Sequence, residues 1–408
     1  MRKPEYCSTF LPPDVHPAPE LYRSGDAFVI SRNSSSAVMA AHIAGFSLDE
    51  SPAFRFQAEA EVDSAAPPES VGVVADWFTA GGKLIARDYL EREISGQKRR
   101  FHRVLPRPAE AVRAELRMFS RWMNQPVRFF HPAMEGGVIP PRTLRLIATK
   151  IDPPRPSTEE ANLQLAEQLF DRLAAAGEHP DLILLPENLN TRSTPGLPCR
   201  KAQTIPGAWS EFLATQAKRF HSYVVTTLAE REGDDLYNTA IILGRNGELV
   251  GKYRKVHLTL SEAEAGFLPG NEFPVFPLDC VRVGIATCWD NWFSESVRQL
   301  ALNGAELVLF PLAGDGDETH WRHIWPARAM DNGIILASSI SQGEAKEPTP
   351  AQILLPDGSV AAETRENPGY AAATLDLNRR CLTYWLSVGP AFGEGASLYR
   401  LERRASVY

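Results

Sequence analysis

Cysteine is scarce in this chain: Cys7, Cys199, Cys280, Cys288 and Cys381 are the only five in 408 residues. The number is odd and no spacing is that of a metal site, so neither a disulfide scaffold nor a zinc cluster organises the chain. Long apolar runs are missing as well, and no window approaches the ~20 residues that a membrane span needs. The opening Met-Arg-Lys-Pro-Glu-Tyr-Cys-Ser-Thr-Phe has no apolar core of the length found in a secretory leader. Basic runs are absent and the formal net charge is −7, which argues against a nucleic-acid surface. These absences point to a reducing, cytoplasmic setting with no membrane and no nucleic-acid partner.

What is present is a globular composition, 44% hydrophobic and 23% charged, in a chain long enough for two or three domains. Residues 1–24 are rich in proline and polar residues and read as an extended N-terminal arm. Over residues 25–140, short β-prone runs at 27–30, 37–43, 54–62, 71–78, 83–90, 111–119 and 127–130 are separated by Gly, Pro and Ser clusters. They predict an antiparallel, jelly-roll-like β-sandwich. Trp77, Trp122 and the Phe129-Phe130-His131 corner are aromatic enough to bind a ligand, although aromatics in such a domain are more often core.

The pattern changes after Pro141. Residues 143–151 read as a strand. Ser157-Thr158-Glu159-Glu160 has capping-box spacing and leads into a helical face of Leu163, Ala166, Leu169, Phe170 and Leu173, stopped by Gly177. The run 181–185 is continuously apolar, as in a strand buried on both faces. A helix over 206–222, a strand over 223–228 and a hairpin turning at Arg245-Asn246-Gly247 follow. Later come a strand at 306–311, a helix at 321–330, a strand at 333–340, a hairpin at Pro356-Asp357-Gly358 and a strand at 370–377. Residues 141–378 thus predict one α/β domain. Residues 379–408 are less regular and read as a C-terminal arm on that domain or on a partner subunit.

Residues 282–287 are apolar and β-branched enough for a short buried strand, and Cys288 follows at once. From Glu295 to Ala305 the pattern is helical. A cysteine at a strand-to-helix turn sits where open α/β sheets place their chemistry. A helix start beyond it offers N–H groups and partial positive charge, which favour a thiolate. An isolated cysteine is still more often a small buried hydrophobe. Two other charged residues end predicted strands: Glu187 in Leu184-Leu185-Pro186-Glu187, and Lys255 in Arg254-Lys255-Val256-His257-Leu258. Each alone reads more often as a solvated surface charge.

Taken jointly and in this order, these two motifs and Cys288-Trp289-Asp290 resemble the carbon–nitrogen hydrolase family, also called the nitrilase superfamily. Supporting matches are Phe293-Ser294-Glu295, Pro269-Gly270-Asn271-Glu272, Trp321 with Ala327-Arg328-Ala329, and Leu355-Pro356-Asp357-Gly358. The resemblance spans about residues 142–378. It implies a nitrilase-like α-β-β-α sandwich, here preceded by the smaller β-sandwich. It also implies a homodimer and no metal or organic cofactor. Cys288 would be the nucleophile, Glu187 the general base and acid, and Lys255, with the Trp289 N–H, the oxyanion partner. A second glutamate positions the lysine in many members. Here Glu264 is the first choice and Glu262 the next, after a one-residue shift against the usual spacing. Ser294 in place of Pro and Asp331-Asn332 in place of Glu-Asn depart from the pattern without touching the triad.

The implied activity is a thiol amidohydrolase for a small amide or N-carbamoyl compound, with ureido compounds and nitriles as further substrate classes. Asp290 after Cys-Trp inclines towards amidases and carbamoylases; a nitrilase is the alternative. A papain-like Cys–His site would instead use His257, His320 or His323, leaving Lys255 and Glu187 without a task. From another class, the chain would be a binding protein that recognises its partner through the N-terminal sandwich. Specificity is expected from the loops after Glu187, after Lys255 and around 313–321. There Asp315, Asp317, Glu318 and Arg322 face either substrate or water, and water is the commoner fate.

Overall fold

The computed structural model describes the chain apart from Val15, His16, Ala37, Pro198, Cys199, residues 315–317 and 343–347, and Tyr408. Cys199, Asp315, Asp317 and the first residue of the expected 37–43 strand therefore lie outside the described residues. The chain divides into two compact units, residues 1–140 with 380–408, and residues 141–379.

In the first unit, alternating apolar and polar residues build antiparallel strands that bury one face. Ala53–Glu61 lies in a six-stranded sheet and Arg113–Ser120 in a seven-stranded one. Both sheets contribute to one core that includes Phe54, Phe56, Trp77, Phe101, Met118 and Phe129. Trp77 and Phe129 are thus core residues, whereas Trp122 is exposed beneath the Arg121 guanidinium.

Neither end of the chain is an arm. Tyr6–Phe10 pairs antiparallel with Ala40–Ser47, and Leu21–Ser24 with Ala27–Ile30. Leu382–Tyr384 and Phe392–Glu394 extend the seven-stranded sheet, and a short helix, Gly395–Leu401, follows. Arg380 pairs with buried Asp88, and Arg400 with Glu91. These long-range ion pairs have no local sequence pattern. The strand Lys98–Pro106 escapes the alternation rule for a related reason. Arg99 is buried there, and its guanidinium donates to the carbonyls of Ala66, Pro67 and Pro68.

The second unit starts with Thr143–Lys150, which pairs in parallel with Leu182–Leu184 and antiparallel with Gly369–Asp376. Helix Glu159–Ala175 is capped by Thr158, which accepts from the Ala161 N–H; Ser157 instead donates to Asn162. Two half-sheets, one with Leu182–Leu184 at its centre and one with Leu307–Ala313, meet at the parallel contact Lys150↔Ile340. One face of both halves contributes to a helix-free core containing Leu182, Leu184, Val283, Ile285, Leu307 and Leu309. The opposite faces are covered by helices: Phe170, Trp209 and Leu213 pack on one half, Val297 and Leu300 on the other. This is the nitrilase-like layering of helix, sheet, sheet and helix. No helix of the described residues is long and apolar enough to cross a membrane.

Three strand ends converge in this unit. Glu187 lies three residues beyond Leu182–Leu184, Lys255 directly follows Leu249–Arg254, and Cys288 lies three residues beyond Arg282–Ile285. The backbone around Lys255 is gripped from both sides: its N–H donates to the Asn238 carbonyl, and its own carbonyl accepts from the Gly270 N–H at 2.9 Å. A side chain at Gly270 would place Cβ 2.1 Å from the Arg254 carbonyl oxygen, so only glycine permits this approach. Gly270→Ala is expected to destabilise the second unit by about 1–3 kcal/mol and to lower activity through a displaced Lys255. Thermal melts read beside turnover check this, and an unchanged melt with full turnover contradicts it.

Candidate active site

Glu187 is buried because Leu185-Pro186 carries the chain straight off a fully buried strand. Its Oε1 accepts from Lys255 Nζ at 3.1 Å and from Asn238 Nδ2 at 2.8 Å. Lys255 Nζ also donates to both oxygens of Glu262, at 2.9 and 2.8 Å. The second Asn238 Nδ2 hydrogen serves Glu262 as well, at 2.8 Å. One buried ammonium is thereby held between two carboxylates, with one amide bracing both. Burial alone would depress the lysine. The Glu187 carboxylate, then Cys288 and Glu262, outweigh it and hold Lys255 well above its ordinary range. Burial likewise opposes ionisation of Glu262, but Lys255, the Thr259 N–H and Asn238 keep its carboxyl below the usual value.

Glu262 reaches this position through a helix cap. Thr259 opens the five-residue helix Leu260–Glu264, its Oγ1 accepting from the Glu262 N–H, and Glu262 Oε2 accepts from the Thr259 N–H at 2.8 Å. The expectation that Glu264 positions the lysine is corrected by this geometry: Glu264 ends the same helix exposed to solvent. Thr259-Leu260-Ser261-Glu262 is a capping-box spacing, the signal that identifies the correct glutamate.

Cys288 sits at φ +46°, a left-handed conformation rare outside glycine and typical of a sharp functional turn. It opens a 3-10 turn, Cys288–Trp292; the α-helix begins only at Ser294. The helix terminus expected to favour a thiolate is therefore displaced from the sulfur. Burial, then the Glu187 carboxylate, push the thiol up against the opposing pull of Lys255. The resting group is a thiol beside a carboxylate, with Sγ 3.6 Å from the Ala313 carbonyl oxygen. Charge explains this: two carboxylates already share one ammonium, and a thiolate would add a third anion.

Asp290 ties the Cys288 turn to the lysine segment. Fully buried, it accepts from the Thr287 N–H, the His257 N–H and Tyr253 Oη at 2.9, 2.9 and 2.6 Å, and lies 3.0 Å from His257 Nδ1. His257 stacks on Phe293, His320 packs edge-on against Trp292, and His323 is exposed. None of the three lines the cavity of about 310 Å³ onto which Glu187, Lys255, Glu262 and Cys288 open. The Cys–His reading thus has no geometric basis. Asn238, Tyr253, Asp290's bridging role and the cavity residue Arg192 carry no sequence signal. Among the described residues, no group of three or more His, Cys, Asp or Glu is placed to hold a metal.

The carbon-nitrogen hydrolase family matches residues 146–382. A nitrilase of Pyrococcus abyssi is 33% identical over 238 residues, covering 54% of this chain and 86% of its own length. An omega-amidase of Xenopus laevis is 29% identical over 232 residues, covering 53% and 83%. Among solved structures, the amidase from Nesterenkonia sp. AN1, with acrylamide added to its active-site cysteine, is 28% identical at a TM-score of 0.50, covering 57% and 93%. A branch 10 member of the nitrilase superfamily from Saccharomyces cerevisiae is 26% identical at a TM-score of 0.52, covering 58% and 90%. Residues 1–145 lie outside the family match.

Glu262→Gln is expected to lower stability by about 1–3 kcal/mol at neutral pH by leaving Lys255 underpaired, whereas Glu264→Gln is neutral. Because the Glu262 carboxyl is depressed on folding, its contribution is full above the ordinary value of 4.5 and fades as pH falls through the folded one. The stability gap between parent and Glu262→Gln should therefore shrink towards acid in denaturant titrations; a constant gap contradicts the assignment. Because Glu187 raises the thiol, Glu187→Gln should bring the pH midpoint of Cys288 alkylation down, and an unmoved midpoint separates the two groups.

Proposed function

The chain belongs to the carbon–nitrogen hydrolase family, and from that premise we propose that it is a thiol amidohydrolase acting on a small amide or N-carbamoyl compound. The observation that carries the proposal is the Lys255 ammonium held by Glu187 and Glu262 in the cavity that Cys288 enters. The named relatives support it: an amidase and an omega-amidase are among them.

In this reading the Cys288 thiol loses its proton to Glu187 as sulfur attacks the scissile carbonyl carbon. The transfer leaves the net charge of the buried cluster unchanged, so a neutral resting thiol suits it. The developing oxyanion is met by Lys255 and the Trp289 N–H, a donor type worth roughly 3–4 kcal/mol. Protonated Glu187 then delivers the proton to the departing ammonia or amine, leaving an acyl-thioester on Cys288. Water enters, Glu187 takes its proton, and the acid product leaves as the thiol is restored. Glu262 acts through Lys255, fixing its position. A homodimer in a reducing, cytoplasmic compartment belongs to the same proposal, on the resemblance and the scattered thiols; light scattering checks the dimer.

Hydrolysis of nitriles is the second reading, favoured by the match to the Pyrococcus abyssi nitrilase. One assay separates the two. Purified protein meets a panel of amides, N-carbamoyl amino acids, ureido compounds and nitriles, with released ammonia and intact mass both followed. Cys288→Ala is expected to lose at least about 10⁴-fold in turnover and Lys255→Met about 10²–10³-fold, with an acyl adduct on Cys288 in the parent. A Cys288→Ala protein that releases ammonia at the parental rate overturns the nucleophile assignment.

A further inference from the structure

The loop after Glu187 is tightly pinned. Asn162, fully buried on helix Glu159–Ala175, donates through Nδ2 to the carbonyls of Leu189 and Arg192, both at 2.8 Å. The Ser193 carbonyl accepts from the Ser157 N–H at 2.9 Å. Ser193 itself sits at φ +58°, a conformation that costs a non-glycine residue about 1–3 kcal/mol. The grip turns two side chains, Arg192 and Ser193, onto the cavity shared with Cys288.

Both carry unused donors. Arg192 Nη2 donates to the Gln342 carbonyl at 3.1 Å, but among the described residues its Nε is buried without a partner, and so is Ser193 Oγ. Among the described residues no carboxylate lies within ion-pair reach of the guanidinium. The Gln342 acceptor is fixed from behind: Asp152 accepts from the Gln342 N–H at 2.6 Å and pairs with Lys150 at 2.8 Å. A guanidinium held rigidly in a cavity wall, with a buried donor lacking an acceptor, is costly unless an anion completes it. Among the cavity-lining side chains, Glu187 and Glu262 are matched by Lys255 and Arg192. Without Arg192 the cavity would be net negative and repel an anion; with it, an anionic ligand is admitted.

We propose that Arg192, with Ser193, binds a carboxylate carried by the substrate, so that the favoured substrates are amides bearing a carboxylate a few carbons from the scissile carbonyl. This rests on the amidohydrolase reading and adds to it the residues that select the substrate. The planar guanidinium fork suits a carboxylate better than a lysine does.

The test uses binding and turnover side by side. Cys288→Ala protein is titrated calorimetrically with succinamate, glutaramate and adipamate, and with the carbon-matched neutral butyramide, valeramide and hexanamide. At least one anionic amide is expected to bind roughly tenfold or more tighter than its neutral partner. Adding Arg192→Gln should abolish that preference while leaving the neutral amide's affinity alone; Arg192→Lys should restore part of it. In the otherwise native enzyme, Arg192→Gln should raise KM for the anionic amide far more than it lowers kcat. If Arg192→Gln fails to fold, Ser193→Ala is the second variant, with a several-fold loss confined to the anionic series. Equal affinity for anionic and neutral amides, or a preference indifferent to both variants, overturns the proposal. Arg192-dependent binding without ammonia release from any amide leaves the anion site standing and overturns the amidohydrolase reading instead.

Discussion

A single buried ammonium organises the catalytic half of this protein. Lys255 Nζ, almost wholly removed from water, is bonded to Glu187 and to both oxygens of Glu262. A charge so placed survives only if its partners are present and correctly aimed. The fold must therefore deliver three chain segments to one point: the end of a buried parallel strand, the end of a hairpin strand and the first turn of a five-residue helix. The same arithmetic of charge explains the resting state of Cys288. With two carboxylates around one ammonium, burial and the Glu187 carboxylate push the Cys288 thiol up, so the sulfur keeps its proton.

Asp290 is the companion constraint. Its carboxylate is fully buried and satisfied by donors from the Cys288 turn and from the lysine segment. Cys288 occupies a strained left-handed position two residues earlier. The strain is tolerable because Asp290 holds the turn from below. His257, which the sequence offers as a catalytic base, instead belongs to this bracket, bonded to Asp290 and stacked on Phe293.

The first unit obeys a different logic. Its sandwich closes around aromatic residues in the way alternation dictates, but it is completed by residues 380–408, which return to it after the whole second unit. Buried polar groups secure that return: Asp88 with Arg380, and Arg103 with Glu394. Such pairs specify which surfaces meet, and they are invisible to any local reading because each partner alone resembles a surface charge.

Local pattern by itself determined the strands and helices that bury one face and the change from β-rich to α/β near Pro141; Glu187, Lys255 and Cys288 stood out only jointly, through the order of their motifs and the family these resemble, since each alone reads as a surface charge or a small buried residue. Glu187 and Cys288 each follow a short strand with consecutive buried residues, whereas Leu249–Arg254, which leads to Lys255, is mostly exposed or half-buried. The choice of Glu262 over Glu264 was half legible, since Thr259-x-x-Glu262 is a helix cap, but which carboxylate reaches the lysine depends on where a five-residue helix starts. Only the tertiary structure decided the roles of Asn238, Asp290, Arg192 and Ser193, the protonation of Cys288, and the home of the C-terminal segment. Each of these rests on charges and donors far apart in sequence that meet away from water, where a missing partner costs the most. Hydrophobic periodicity records which side of an element is buried; it carries no record of which polar group waits on the other side.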